Sequence, residues 1–109
     1  MSVEPMMEFG VYRIVKSGRA GLVVDGRCNS GRISVGIEFK RVYSAIVEKS
    51  RLGYQDVGRT RLASVKLKVT RIEAYGRDLS EIETGLTARL HLAGSGADQV
   101  PDGSILGSE

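Results

Sequence analysis

A single histidine and a single cysteine bound the chemistry open to this 109-residue chain. A serine or cysteine nucleophile works with a base, most often histidine, which a third group holds in the right tautomer. His91 lies in the run Leu86-Thr87-Ala88-Arg89-Leu90-His91-Leu92. Apolar and polar residues alternate there, so His91 falls on the outward row of a strand, with no orienting carboxylate predicted beside it. Cys28 has no second cysteine with which to form an internal disulfide or a cysteine-based zinc site, and it reads as a core thiol. Gly26 to Gly31 has the G-x-x-x-x-G spacing of a phosphate loop. However, Arg32-Ile33 stands where Lys followed by Ser or Thr is needed, and a strand, turn and strand surround it in place of a helix N-terminus. Glu81 and Glu83 read as solvated carboxylates near a turn, not as an acid–base pair. No catalytic residue, metal site or cofactor is therefore expected, and the chain reads as a non-enzyme.

What remains is binding. Arg51, Arg59, Arg61, Lys66 and Lys68, with Tyr54 among them, combine cations with an aromatic ring, a mixture suited to phosphate contacts and a stacked base. Leu52, Tyr54 and Val57 would equally suit the apolar centre of a protein interface. Charge along the chain is uneven. Residues 10–71 carry fourteen Lys and Arg against four carboxylates, a net +10, whereas residues 72–109 are net −5 and the first nine −2. Such polarity draws nucleic acid or an acidic protein to one region, although outward strand positions are often basic simply because they are solvated.

These residues need a scaffold, and the periodicity predicts strands. Gly at 14 positions with only 2 Pro is the composition of many tight turns. Residues 9–16 form an apolar, β-branched run ending at Ser17-Gly18-Arg19-Ala20-Gly21. The next strand puts Leu22, Val24 and Cys28 on one face before the turn Asn29-Ser30-Gly31. Ile37, Phe39 and Arg41 then alternate against Glu38, Lys40 and Val42. Val65, Leu67 and Val69 share a face opposite Lys66, Lys68 and Thr70, but Ile72 falls on the wrong parity, which predicts a β-bulge near Thr70 and Arg71. Ser80 and Glu83 have capping-box spacing with no amphipathic helix after them, and a single turn is expected there. Ile105 and Leu106 form a short closing strand. About six strands joined by tight turns predict a small all-β sandwich or barrel, with an OB-fold as the main rival; closure into a barrel would leave no exposed edges.

The order of motifs resembles domain 2 of the translational GTPases, the β-barrel found in elongation factor Tu. The matching pieces are Gly21-Leu-Val-Val-Asp-Gly-Arg27, Arg32-Ile-Ser-Val-Gly36, Val69-Thr-Arg-Ile-Glu73, Glu83-Thr-Gly-Leu-Thr-Ala-Arg-Leu90 and Asp102-Gly-Ser-Ile-Leu106. The resemblance spans roughly residues 9–107 and implies a closed six-stranded antiparallel β-barrel, here expected without the GTPase domain. It also implies contacts with aminoacyl-tRNA, the ribosome or neighbouring domains. The expected organisation is an N-terminal extension over 1–8 and a single barrel domain over 9–107, with an extended hairpin or long loop at 44–61. The N-terminus has neither a basic start nor an apolar run, so a cytoplasmic protein without membrane contact is expected. The leading functional expectation is a binding module that docks on a protein partner. The alternative is an RNA-, tRNA- or ribosome-binding domain acting through a basic face.

Overall fold

The structure, a computed structural model, describes residues 7–19, 21–51 and 53–108, and for 45–50, 54–57 and 59 it describes the backbone alone. Among these residues the chain forms nine strands: β1 (Glu8–Ser17), β2 (Gly21–Ser30), β3 (Arg32–Ser34), β4 (Glu38–Ser50), β5 (Gly53–Ala74), β6 (Arg77–Leu79), β7 (Glu81–Glu83), β8 (Thr87–Ser95) and β9 (Ile105–Gly107). A short 3-10 turn covers Ala97–Gln99. Six strands pair in the order β4-β9-β1-β2-β8-β5, and β5 returns to β4, so the antiparallel ring closes. This is the six-stranded barrel that the periodicity and the motif order predict. β6 folds back on the end of β5, and β3 pairs with β7 in a separate two-stranded sheet.

The inward rows are the apolar ones. Phe9 and Val11 of β1, Leu22, Val24 and Cys28 of β2, Phe39 of β4, Leu67 and Val69 of β5, and Leu90 and Leu92 of β8 are all at most 2–3% exposed, and burying each large aliphatic or aromatic side chain stabilises the fold by about 1.5–3 kcal/mol. Cys28 is a core thiol, as expected. Its Sγ lies 3.4 Å from the Gly31 carbonyl oxygen, and burial pushes the thiol pKa up. Gly26 continues the inward row, where an added Cβ would overlap the Gly10 carbonyl oxygen and press on the Phe9 ring.

Two local expectations are corrected. Val42, predicted to face outward with Lys40, is fully buried, while Arg41 is only partly so. The β4–β5 register slips between Phe39 and Arg41, which turns the following residues to the other face. Residues 81–83, expected as a turn, form β7. Its Ile82 sits opposite Ile33, and both are fully buried in the same core, while Glu81 and Glu83 flank Arg32 outside. One apolar residue between two carboxylates is too short a pattern to read as a strand without its partner.

Besides the slips after Glu8 and Phe39, single extra residues bend the ring at four places. Thr70 is the extra residue of β5 against β8, where the parity slip predicts it. Tyr12 and Val15 are extra residues of β1 against β2, and Leu62 of β5 against β4. These last three side chains are 57, 40 and 49% exposed; of them only Val15 shares the parity of the buried Phe9 and Val11 and is turned outward by the bulge before it.

Candidate binding surface

Residues opposite each other in an antiparallel pair share a face, so the register lays out the outer surface of β2, β8 and β5. One row runs Lys16, Val23, His91, Arg71. The next runs Gly21, Ala93, Lys68, with Ser95 beside Lys66 beyond it. Gly21 and Ala93 contribute almost no bulk, leaving a trough between the β1–β2 turn and β5. Gly21 is required there, since a Cβ would lie 2.5 Å from the Leu92 carbonyl oxygen. The turn is held by the Gly18 N–H donating to the Gly21 carbonyl at 3.0 Å. The resulting cleft holds about 570 Å³ and is lined by Lys16 and Arg19, by Thr70 and His91, and by Gly21 and Val23, with Leu22 and Leu92 beneath them turned into the core.

Below the trough lies a charge network with its own internal compensation. Asp25 accepts from Arg89 Nε at 2.7 Å and from Arg13 Nε at 3.0 Å. The Arg89 guanidinium, aided by Arg13 and opposed by partial burial, holds the Asp25 carboxyl below the usual aspartate range. Glu73 lies 2.5 Å from His91 Nε2 and 3.2 Å from Arg71, and Arg71 Nε also donates to Asp78 at 2.8 Å. The His91 hydrogen bond, more than the Arg71 charge and against partial burial, lowers the Glu73 pKa. An ionised carboxylate only accepts, so Nε2 is the nitrogen of His91 that carries a proton. This is a correction: His91 does face outward, but β5 brings a carboxylate to it that the sequence of β8 alone does not predict. Thr70 Oγ1 donates to the His91 carbonyl at 3.1 Å.

Among the described residues Lys16, Arg19, Lys66 and Lys68 have no ion-pair partner, whereas Arg13, Arg71 and Arg89 each hold a carboxylate. These four lie on the face that holds the trough; of the other described cations, Arg27, Lys40, Arg41, Arg51, Arg61 and Arg77 likewise hold no carboxylate and lie elsewhere. Of the residues singled out in the sequence, Lys66 and Lys68 lie on this face. Arg61 is exposed on the β4–β5 hairpin opposite Tyr43, beyond the stretch of β5 that β8 covers, and Arg51 is exposed at its tip. Arg59 and Tyr54 sit in β5 opposite Ala45 and Lys49. Their side chains and that of Val57 lie outside the described set, as does the whole of Leu52. Lys16, Arg19, Thr70 and His91 are not candidates from the sequence, because only the pairing of β2 with β8 and of β8 with β5 brings them to Lys66 and Lys68.

No protein-family model and no curated protein matches the sequence. Among solved structures the chain is similar to translation elongation factor SelB from Methanococcus maripaludis in its apo form, with a TM-score of 0.69 and 23% identity. The alignment covers 99% of this chain and 20% of that one, so the chain spans about one-fifth of that factor's length. At this identity the likeness shows the fold, a translation-factor-type β-domain.

Proposed function

We propose that this barrel is a non-enzymatic binding module equivalent to domain 2 of the translational GTPases, and that its trough binds single-stranded RNA, such as a tRNA end. One observation carries the reading: Lys16 and Arg19 line a cleft that also holds Gly21 and Val23, and Lys66 and Lys68 lie on the same face beside it, all four without ion-pair partners among the described residues. The cations suit phosphates, and the low ground at Gly21 and Val23 leaves room for a base or ribose. The translation-factor likeness and the cleft volume support the same reading.

The test is binding of labelled total tRNA to the purified chain by fluorescence anisotropy over a range of salt. Four phosphate contacts to a single strand give a slope of log K against log salt of roughly −3. Changing Lys16, Arg19, Lys66 and Lys68 together to Gln should abolish binding and flatten that slope, while changing Arg51 and Arg61 to Gln should leave it. No binding by the unaltered chain even at low salt would sink the reading.

A further inference from the structure

The β4–β5 hairpin carries a second surface. β9 pairs with β4 only across residues 41–43 and stops at Ile105. Beyond that point β4 continues through residues 44–50, paired with β5 on one side. Among the described residues no strand pairs with its other side. Each β4 residue in this stretch has a β5 partner in turn, and the extra residue, Val57, sits on β5. The open edge of β4 therefore keeps the regular alternation of N–H and C=O groups that an incoming strand reads. β5 is interrupted at Val57 and again at Leu62, the device by which edges are blunted. The β4 segment Ser44-Ala45-Ile46-Val47-Glu48-Lys49-Ser50 has β-branched residues at its centre and neither Pro nor Gly, and its charged pair Glu48 and Lys49 is confined to one end, so its centre is suited to pairing.

The charge around this edge selects the occupant. Residues 40–51 hold Lys40, Arg41, Lys49 and Arg51 against Glu48, a net +3. We propose that the open edge of β4 over residues 44–50 takes up an acidic, extended segment of a partner protein as an added antiparallel strand, in line with β9. Backbone hydrogen bonds along about 24 Å of strand supply the affinity, and the flanking cations choose among sequences. A nucleic acid would meet the same cations but has no use for a row of alternating backbone donors and acceptors. This surface lies apart from the trough and stands or falls independently of RNA binding.

The test uses the full chain and three probes: the peptide (Glu-Val)4, its counterpart (Lys-Val)4 and oligouridylate. The acidic peptide should bind at least tenfold more tightly than the basic one and protect the amides of 44–50 from hydrogen exchange. N-methylation of one alternate set of its amides should weaken binding at least tenfold, and methylation of the other set less than twofold, because only one side of an added strand faces β4. Lys49→Glu with Arg51→Glu should reverse the preference between the two peptides. Equal loss from both methylated sets, protection confined to other segments, an unreversed preference, or protection of 44–50 by oligouridylate in place of peptide would each overturn the proposal.

Discussion

Asp25 is held between two guanidiniums, and that position makes its contribution depend on pH. Its carboxyl titrates below the ordinary aspartate value of 3.8 in the folded chain, so as pH falls the unfolded chain takes up the proton first. The stabilisation is complete above that value and is lost as pH drops through the lower folded value. Asp25→Asn should cost about 1 kcal/mol or less at pH 7, since both arginines are substantially solvated. Urea unfolding at pH 7 and near pH 2.5 reads this out, with the difference between variant and parent shrinking at the lower pH. An equal difference at both would mean that Asp25 acts through packing and not through charge. The residue scale is also where the sequence was least informative about the site. Lys66 and Lys68 stand out because they alternate with Val65, Leu67 and Val69. Lys16 and Arg19 look like ordinary turn cations, and nothing local says that a turn between β1 and β2 will face β5.

Among the elements, the β5–β6 hairpin turn shows a local choice working against the fold. Ala74 pairs with Arg77 across two residues that both have positive φ, 55° at Tyr75 and 74° at Gly76. Glycine adopts that conformation freely, but a tyrosine does so at a cost of about 1 kcal/mol. Tyr75→Asn should therefore stabilise the protein and raise its Tm by a few degrees, as calorimetry would show. A lowered Tm would mean that the ring, although 80% exposed, contributes to the fold. Because Tyr-Gly is not the usual sequence for such a turn, Gly76-Arg77-Asp78 reads as the end of a strand, and β6 goes unnoticed. The bulges divide in the same way. Thr70 is readable because clean alternation precedes the slip, whereas Phe9-Gly-Val-Tyr-Arg-Ile-Val15 is apolar on both parities and hides the extra residues Tyr12 and Val15. In β4 the slip after Phe39 hides Val42.

On the scale of the whole molecule, the ring and the hairpin are separable. Among the described side chains, the fully buried ones that β4 and β5 give the core, Phe39, Val42, Leu67 and Ile72, lie outside residues 45–59. Ser44 and Thr60 are cross-strand partners, so a two-residue Asn-Gly connection can replace 45–59 without altering the ring. The shortened chain should unfold cooperatively within about 5 °C of the parent by circular dichroism, because loop-closure entropy changes slowly with length. It should keep the basic trough and lose capture of the acidic peptide. A noncooperative melt would show that the hairpin belongs to the folding unit. The barrel was legible in the sequence because its strands alternate and its turns carry glycine. The juxtaposition of β1–β2 with β5 was not, because ring order is a property of pairing between distant segments.

Ring order also sets a sequence in time. β9 is three residues long, yet Ile105 to Gly107 pair with β1 on one side and β4 on the other. It works as a latch, and it is translated after every other strand of the ring. Until it arrives, the growing chain is an open five-stranded sheet with two bare margins, each ready to accept a strand from a neighbouring copy. Chains released before Ile105, or cut in the preceding loop, would lose the latch and become sheets that join edge to edge. The hazard from these two margins thus lies in a window of synthesis and in one short peptide segment, and closure of the ring removes it.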